Sequence, residues 1–284
     1  MRCAWQAYIN LLPIRMRQEV DRLGSNSLQE LRLRLNLPPE LIPGNGTVWL
    51  NDKVTQDDLS FCVNAASRYS PWSAATSAQG YITAQGGHRV GICGTAAVSD
   101  GIMTGITEVS SLCLRVARDF PGIAEKAASV QGSILILGKP GSGKTTLLRD
   151  LIRRKSEAGD DAIAVVDERG ELFPKAKGDC CFPPGKHTDI LTGCSKAQGI
   201  NAVLRTMNPA IIAVDEITAA QDCEALIHAG WCGVKFLATV HAGSRKDLYS
   251  RPIYKPIIKS GLFDYLLILR PDKSWYMERM EQWD

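Results

Sequence analysis

A loop that suits phosphate binding constrains this sequence more than any other feature. Residues 138–145 read Gly-Lys-Pro-Gly-Ser-Gly-Lys-Thr, with an apolar run before them at 133–137 and a helical pattern after them at 146–154. A strand, a glycine-rich loop and a helix in this order are typical of a nucleoside triphosphate site. The glycines let backbone N–H groups close around phosphate oxygens at the positive end of the helix. The sequence therefore predicts an α/β fold built around a P-loop.

The loop also predicts which residues contact the nucleotide. Lys144 has the reach to bind the β- and γ-phosphates, and the hydroxyl of Thr145 is suited to hold Mg²⁺. The cofactors expected from this loop are therefore ATP and Mg²⁺. The full set of predicted nucleotide-binding residues is Gly138, Lys139, Pro140, Gly141, Ser142, Gly143, Lys144, Thr145 and Thr146.

Two further apolar runs end in carboxylates, at 162–171 and at 210–216. Parallel strands deliver their carboxyl-terminal residues to one edge of the sheet, so both acidic ends are expected to face the nucleotide. Asp215 is placed to orient Mg²⁺ through water, and Glu216 to polarise the attacking water. The acidic run that precedes the Asp215 run suggests the P-loop ATPases with an added central strand.

Other polar residues at strand ends leave alternatives open. Glu168 and Glu171 either contact metal or water, or serve as a charged strand terminus that caps the strand or pairs with Arg169. Thr239 and His241 end a third run, and either could sense the γ-phosphate by hydrogen bonding. The spacings of four further residues match no common zinc pattern, which favours loop cysteines over a metal site: Cys180, Cys181, His187 and Cys194.

The N-terminal part shows different periodicities. Residues 31–35 alternate Leu-Arg-Leu-Arg-Leu, which predicts a strand with buried leucines and both arginines on the other face. Thr55 begins a Thr-x-x-Asp start signal for a helix to about residue 69. Residues 80–98 predict a hairpin with a turn at Gly86-Gly87. These features predict a smaller α+β domain over 1–121, followed by a P-loop domain over 122–284.

Composition excludes several classes of protein. The net charge of +3 is too small to indicate nucleic acid by itself. Nine cysteines without CxxC spacing, in a chain without an apparent signal peptide, indicate free thiols in a reducing cytosol. No apolar run approaches the length that spans a bilayer, so any membrane role is expected to be peripheral.

Several separate motifs resemble one family. In order along the chain they lie at 80–92, at the P-loop, and at 166–171 (Val-Asp-Glu-Arg-Gly-Glu), 188–191 (Thr-Asp-Ile-Leu), 196–199 (Lys-Ala-Gln-Gly) and 205–217. Their order and spacing resemble the stage III sporulation protein AA family, over about residues 31–269. That family is similar to the ATPases of type II and type IV secretion and of pilus retraction.

The resemblance implies a RecA-like core, ATP hydrolysis and a homo-hexameric ring. It also implies a cytoplasmic location on the mother-cell face of the outer forespore membrane, beneath membrane channel proteins. Asp167, Glu168 and Glu171 match the Asp box of the secretion ATPases, and Thr239 and His241 match their His box. Arg89 and Arg115 stand where those ATPases supply arginines to the nucleotide, and Arg205 is a further candidate. Each is equally compatible with an ordinary surface or structural role.

Two other functions are compatible with the same motifs. In the first, ATP acts as a switch for docking and hydrolysis is incidental. In the second, the chain is a nucleic-acid translocase, although no basic segment interleaved with aromatic residues is present to bind single strands. The ring-forming ATPase motor is the leading hypothesis.

Overall fold

The computed structural model describes residues 1–67, 80–176 and 179–280. The chain forms two compact units. The first comprises residues 1–119 and 174–182, and the second comprises residues 120–173 and 183–284. The domain boundary after residue 121 stays a prediction. Residues 174–182, which the sequence analysis places in the second domain, group with the first unit.

The helices and strands follow one another along both units. The helices are α1 (Trp5–Ile9), α2 (Ile14–Ser27), α3 (Gln56–Ser67), α4 (Glu125–Ala128), α5 (Lys144–Ala158), α6 (Lys196–Thr206), α7 (Ala220–Trp231), α8 (Arg245–Ser250) and α9 (Lys255–Lys259). The strands are β1 (Leu28–Arg34), β2 (Glu40–Pro43), β3 (Val48–Trp49), β4 (Tyr81–Thr83), β5 (Arg89–Ser99), β6 (Ile102–Arg115), β7 (Ile134–Leu137), β8 (Ile163–Asp167), β9 (Lys175–Ala176), β10 (Asp179–Cys180), β11 (Thr188–Thr192), β12 (Ile211–Val214), β13 (Lys235–Val240), β14 (Tyr265–Leu269) and β15 (Trp275–Arg279). None of the helices described is long and apolar enough to cross a bilayer.

The second unit is built on a seven-stranded sheet in the order β11-β8-β12-β13-β7-β14-β15. All its neighbouring strands are parallel except the antiparallel pair β14–β15. The inner strands are buried along their whole length, as expected when helices cover both faces of a parallel sheet. The prediction of a mainly parallel α/β core is therefore confirmed.

The strand between the P-loop strand β7 and the Asp215 strand β12 is β13. The acidic strand β8, from which the sequence analysis inferred an added central strand, lies on the far side of β12 instead. The added strand therefore exists, but it follows β12 in the sequence. Because β13 pairs with both β7 and β12, its carboxyl end delivers Thr239 and His241 between the P-loop and the acidic pair.

Helix α6 packs unusually close to the sheet. A Cβ atom built on Gly199 of this helix would lie only 2.4 Å from Cγ1 of Val166 in β8. A side chain at this position would push the helix off the strand, and glycine therefore allows the close contact. The carboxyl end of β8 and the start of α6 are thereby held next to each other.

The first unit contains a six-stranded sheet in the order β3-β2-β1-β6-β5-β4, with all pairs antiparallel. As predicted for the alternating segment, Leu31 and Leu33 of β1 are fully buried. The side chains of Arg32 and Arg34 are partly exposed and form ion pairs with Glu30 and Glu40. These two arginines therefore have partners on the outer face of their own sheet.

The predicted hairpin is also confirmed. Strands β4 and β5 pair with Tyr81 opposite Gly91, and the chain turns through residues 85–87. Helix α3 begins as its start signal predicts, because Thr55 and Asp58 bond reciprocally to each other's backbone N–H groups. The prediction that this helix continues to residue 69 lies outside the described residues.

Buried His88 predicts a pH dependence of stability. Its Nδ1 accepts a hydrogen bond from the N–H of Ala117, and its Nε2 donates one to the carbonyl of Ala4. Burial lowers the pKa of His88, and the nearby Arg118 charge lowers it further. Below pH 6.5 His88 therefore binds a proton more readily in the unfolded chain than in the folded chain. The free energy of unfolding consequently decreases as the pH is lowered.

We expect this loss of stability in urea unfolding between pH 7.5 and pH 5.5. One proton contributes at most about 1.4 kcal/mol per pH unit. A His88→Gln variant is expected to be less stable at pH 7.5 but to lose less stability over the same interval. An identical pH dependence in the two proteins would contradict a role for His88.

Candidate nucleotide site

The predicted P-loop connects β7 to α5, as the sequence pattern requires. Gly143 stands before the first residue of α5 with φ of 101°, and Gly141 has φ of 73°. Side chains strongly disfavour this left-handed region, so glycine at these positions lets the backbone turn into the helix. The loop side chains Lys139 and Pro140 are exposed, whereas Gly138 is buried.

Lys144 extends from the first turn of α5 into a buried position. Its Nζ donates hydrogen bonds to the carbonyl of Lys139 at 3.1 Å and to Nδ1 of His241 at 3.1 Å. Burial lowers the pKa of Lys144, while the nearby charges of Asp215 and Glu216 oppose that shift. The ammonium group therefore lies among carboxylates at the carboxyl edge of the sheet.

A direct hydrogen bond joins the side chains of Thr145 and Asp215. The hydroxyl of Thr145 donates to Oδ2 of Asp215 at 2.7 Å, and the hydroxyl of Thr239 donates to Oδ1 at 2.6 Å. The two predicted Mg²⁺ residues thus contribute oxygen atoms to one small cluster. Oxygen donors of this kind are the ligands that Mg²⁺ prefers, so the residues present fit the ion.

Glu216 follows with an unusual backbone. Its φ is 57°, a left-handed value that few residues with a side chain adopt. Its N–H donates to Oγ1 of Thr239 at 2.8 Å, which fixes the backbone beside the Asp215 cluster. The carboxylate hydrogen-bonds to Nε2 of His241 through Oε1 and lies 3.8 Å from Nη1 of Arg169 through Oε2.

One buried group in the loop has no partner among the described residues. The hydroxyl oxygen of Ser142 is enclosed by the chain yet makes no hydrogen bond there. An orphaned polar atom in a buried position costs free energy unless a ligand or water bonds to it. The vacant hydrogen bond of Ser142 therefore fits a phosphate group in the loop.

The segment after β8 is held by a buried network. The carboxylate of Asp167 accepts hydrogen bonds from the N–H groups of Glu171 and Phe173, both at 2.9 Å. Buried Arg149 donates to the carbonyls of Glu171 and Leu172 from the other side. Burial raises the pKa of Asp167, against the stabilising effect of the backbone N–H groups. Asp167 therefore serves to shape this turn.

Glu168 has a partner that the sequence analysis does not include. Its carboxylate pairs with Nζ of Lys196, a buried lysine at the first position of α6. Glu168 is therefore paired at the strand terminus with Lys196, and its contact with metal or water stays a prediction. The only sequence signal for Lys196 was its place in a family motif.

The structure describes contacts of the three candidate arginines within their own units. Arg89 stacks 3.8 Å above the ring of Tyr81, and Arg115 pairs with Glu30 at 3.1 Å, both within the first unit. Arg205 is exposed on the last turn of α6 in the second unit. Their proposed contact with nucleotide stays a prediction.

A cavity of about 740 Å³ borders the P-loop within the second unit. Phe120 and Ile123 line it from the segment before α4, and Leu269 and Trp275 line it from the β14–β15 hairpin. The loop contributes Gly141, Ser142 and Gly143, and α5 contributes Thr146 and Leu147.

Sequence reasoning missed this cavity because its apolar walls come from segments about 150 residues apart. Its volume is typical of a small-molecule site.

The question of zinc has a separate answer. The described residues contain no group of three or more His, Cys, Asp or Glu side chains arranged to hold a metal ion. None of the cysteines described forms a disulfide bond.

The fold and site together define a class of protein. The chain superposes on the Legionella pneumophila ATPase DotB with a TM-score of 0.61 and 16% identity, covering 94% of this chain and 80% of DotB. It superposes on the pilus retraction motor PilT with bound ADP with a TM-score of 0.57 and 15% identity, covering 89% and 76%. The predicted RecA-like P-loop fold, in the form found in secretion ATPases, is thereby confirmed.

Sequence comparison then gives the family. Residues 5–276 match the family profile described as "Sporulation stage III, protein AA". The chain is 34% identical to the stage III sporulation protein AA of Bacillus subtilis over 277 residues, covering 93% of this chain and 90% of that protein. The chain belongs to the stage III sporulation protein AA family, as the resemblance implied.

Proposed function

We propose that this chain binds Mg²⁺ and ATP at its P-loop and hydrolyses ATP to ADP and phosphate. The observation that carries the proposal is one continuous set of hydrogen bonds, which connects Lys144 and Thr145 of the loop to Asp215, Glu216 and His241. Each predicted function, namely phosphate binding, metal binding and water activation, has a side chain within this set.

The residues divide the chemistry among them. Lys144, the N–H groups of the loop and the free hydroxyl of Ser142 bind the phosphate oxygens. Thr145 and Asp215 would hold Mg²⁺, and the ion would neutralise charge on the transferred phosphate. Glu216 orients water and accepts its proton, while His241 and Thr239 fix the positions of Glu216 and Asp215.

The cavity beside the loop is proposed to bind the base and ribose of ATP. It borders the same glycines that would bind the phosphates, and Phe120 and Trp275 offer aromatic rings for a base. A base stacked on an aromatic side chain gains about 1–3 kcal/mol. The cavity and the loop therefore form one site for a whole nucleotide.

A substitution at Trp275 tests this arrangement. We expect Trp275→Ala to raise KM for ATP about 10-fold, which matches a stacking loss near 1.4 kcal/mol, and to change kcat by less than about 2-fold. Steady-state phosphate release over a range of ATP concentrations provides both constants. Tyr276→Ala, at the exposed next residue outside the cavity, is the matched control. An unchanged KM in Trp275→Ala would place the base elsewhere.

At the level of the assembly, we propose a homo-hexameric ring motor that powers or assembles a membrane channel complex during endospore formation. Family membership supports the sporulation role. The likeness in fold to the DotB ATPase and to the pilus retraction motor PilT supports a motor. The ring is proposed to act in the cytoplasm on the mother-cell side of the forespore membrane. Arg89, Arg115 and Arg205 are proposed to contact nucleotide in the assembled ring.

The experiment that tests the proposal measures mass and phosphate release on the same sample. Light scattering with and without MgATP reports assembly, and a phosphate-release assay reports turnover. We expect ATP to favour the ring and turnover per chain to increase with assembly. A chain that assembles fully and releases no phosphate would contradict the proposed hydrolysis. A chain that stays monomeric while it hydrolyses ATP would contradict the proposed ring.

A further inference from the structure

We infer that Arg169 and His241 together restrain Glu216, so that its carboxylate is engaged by the protein until the phosphate loop is filled. The inference rests on the proposed ATP hydrolysis and adds a means of regulating it. Arg169 is in this view a positioning residue, which acts on the reaction through Glu216.

The two carboxylate oxygens of Glu216 have different partners. Nε2 of His241 bonds to Oε1, and Nη1 of Arg169 lies 3.8 Å from Oε2. A carboxylate that polarises water must turn a lone pair toward that water. Both oxygens of Glu216 face protein groups instead, so the carboxylate must turn away from Arg169 and His241 before it can bind and activate water.

Arg169 approaches Glu216 from a firmly supported turn. The N–H of Gly170 donates to the carbonyl of Asp167 at 3.1 Å, and Gly170 has φ of 64°. The next residues are bonded to the buried carboxylate of Asp167 and to buried Arg149. This framework fixes the backbone beneath Arg169, although its side chain is 60% exposed. The guanidinium can therefore leave Glu216 without disturbing the core.

His241 connects this restraint to the phosphate loop. Because Lys144 can only donate, Nδ1 of His241 is the acceptor of their 3.1 Å hydrogen bond. The imidazole then carries its hydrogen on Nε2 and donates it to Glu216. Phosphate oxygens compete with His241 for the hydrogen bonds of Lys144. When Lys144 turns to phosphate, Nδ1 of His241 loses its donor. His241 and Glu216 are then free to rearrange together.

The tautomer gives a test that does not depend on turnover. The chain has four histidines, so ¹⁵N-histidine spectra of the full chain are simple to assign with a His241→Asn reference. Without nucleotide we expect protonated Nε2 and unprotonated Nδ1 at His241. Adding MgATPγS is expected to shift the Nδ1 signal, because Lys144 no longer donates to it. An unchanged Nδ1 signal at saturating MgATPγS would refute the link to the loop.

The restraint itself is tested by Arg169→Ala. We expect kcat of the unassembled chain to rise about 3- to 10-fold with KM for ATP unchanged, because the loss of Arg169 frees Glu216 without affecting nucleotide binding. Arg169→Lys keeps the charge and is expected to restore a kcat near that of wild type. In Arg169→Ala/Glu216→Gln the gain is expected to vanish, which shows that it acts through Glu216.

Arg22→Ala, at an exposed arginine of α2, is the matched control and is expected to behave as wild type. A kcat that falls or stays unchanged in Arg169→Ala, while wild type hydrolyses ATP, overturns the restraint and leaves the proposed function standing. Absence of turnover in wild type overturns the proposed function itself, and the histidine spectra then still decide whether Lys144 and His241 are coupled.

Discussion

Lys144→Ala is expected to lower phosphate release about 100- to 1000-fold. The ammonium group is buried among the P-loop, His241 and the acidic pair, and no other described lysine side chain bonds within that cluster. Preorganised charge that faces a transferred phosphate typically contributes this much to the rate. The measurement is steady-state phosphate release at saturating MgATP, together with equilibrium binding of labelled ATP.

The control for this variant is Lys259→Ala, which removes an exposed lysine at the end of α9. It is expected to leave both phosphate release and ATP binding unchanged. Thermal unfolding of both variants tests whether any loss reflects a failure to fold. A folded Lys144→Ala protein that hydrolyses ATP at the wild-type rate would show that the P-loop is not the catalytic site.

Glu216→Gln is expected to separate binding from hydrolysis. The amide keeps the size of the side chain and can still bond to His241, but it cannot accept a proton from water. A positioned general base typically contributes about 100- to 10,000-fold, so phosphate release should fall at least 100-fold while ATP affinity changes little. Glu224→Gln, at an exposed position on α7, is the matched control.

The same variant distinguishes a motor from an ATP-controlled docking protein. A motor requires repeated hydrolysis, and Glu216→Gln cells are therefore expected to fail in sporulation although the protein still binds ATP and assembles. Normal sporulation in those cells would favour the docking function, in which hydrolysis is incidental.

Much of the fold follows from local sequence patterns. The apolar runs, the glycine-rich loop and the alternating Leu-Arg segment each produced the expected strand or helix, because burial follows periodicity. The position of β13 between β7 and β12 did not follow in the same way. Strand order depends on pairing between segments far apart in sequence, and neither the apolar run of β13 nor that of β8 records which neighbour it pairs with.

The candidate site was predictable to a similar extent. Parallel strands that end at one edge brought Asp215, Glu216, Thr239 and His241 to the P-loop. The partners of single charges were not predictable. Glu168 binds Lys196 because α6 packs tightly on β8 through Gly199, and this depends on tertiary packing. The cavity beside the loop likewise requires two hydrophobic segments from distant parts of the chain.

The short excursion of residues 174–182 has a practical consequence for dissecting this protein. The chain passes between the two units after residues 119, 173 and 182, so a single protease cut after Asp119 leaves residues 174–182, which belong to the first unit, on the second fragment. Phe182 is almost fully buried there, and Pro174 and Phe182 lie close to Gly87. In a fragment that begins at residue 120, Pro174 and Phe182 lose their contacts with the first unit. The apolar surface exposed in this way favours aggregation. An isolated second unit therefore needs residues 174–182 excised and replaced by a short polar linker.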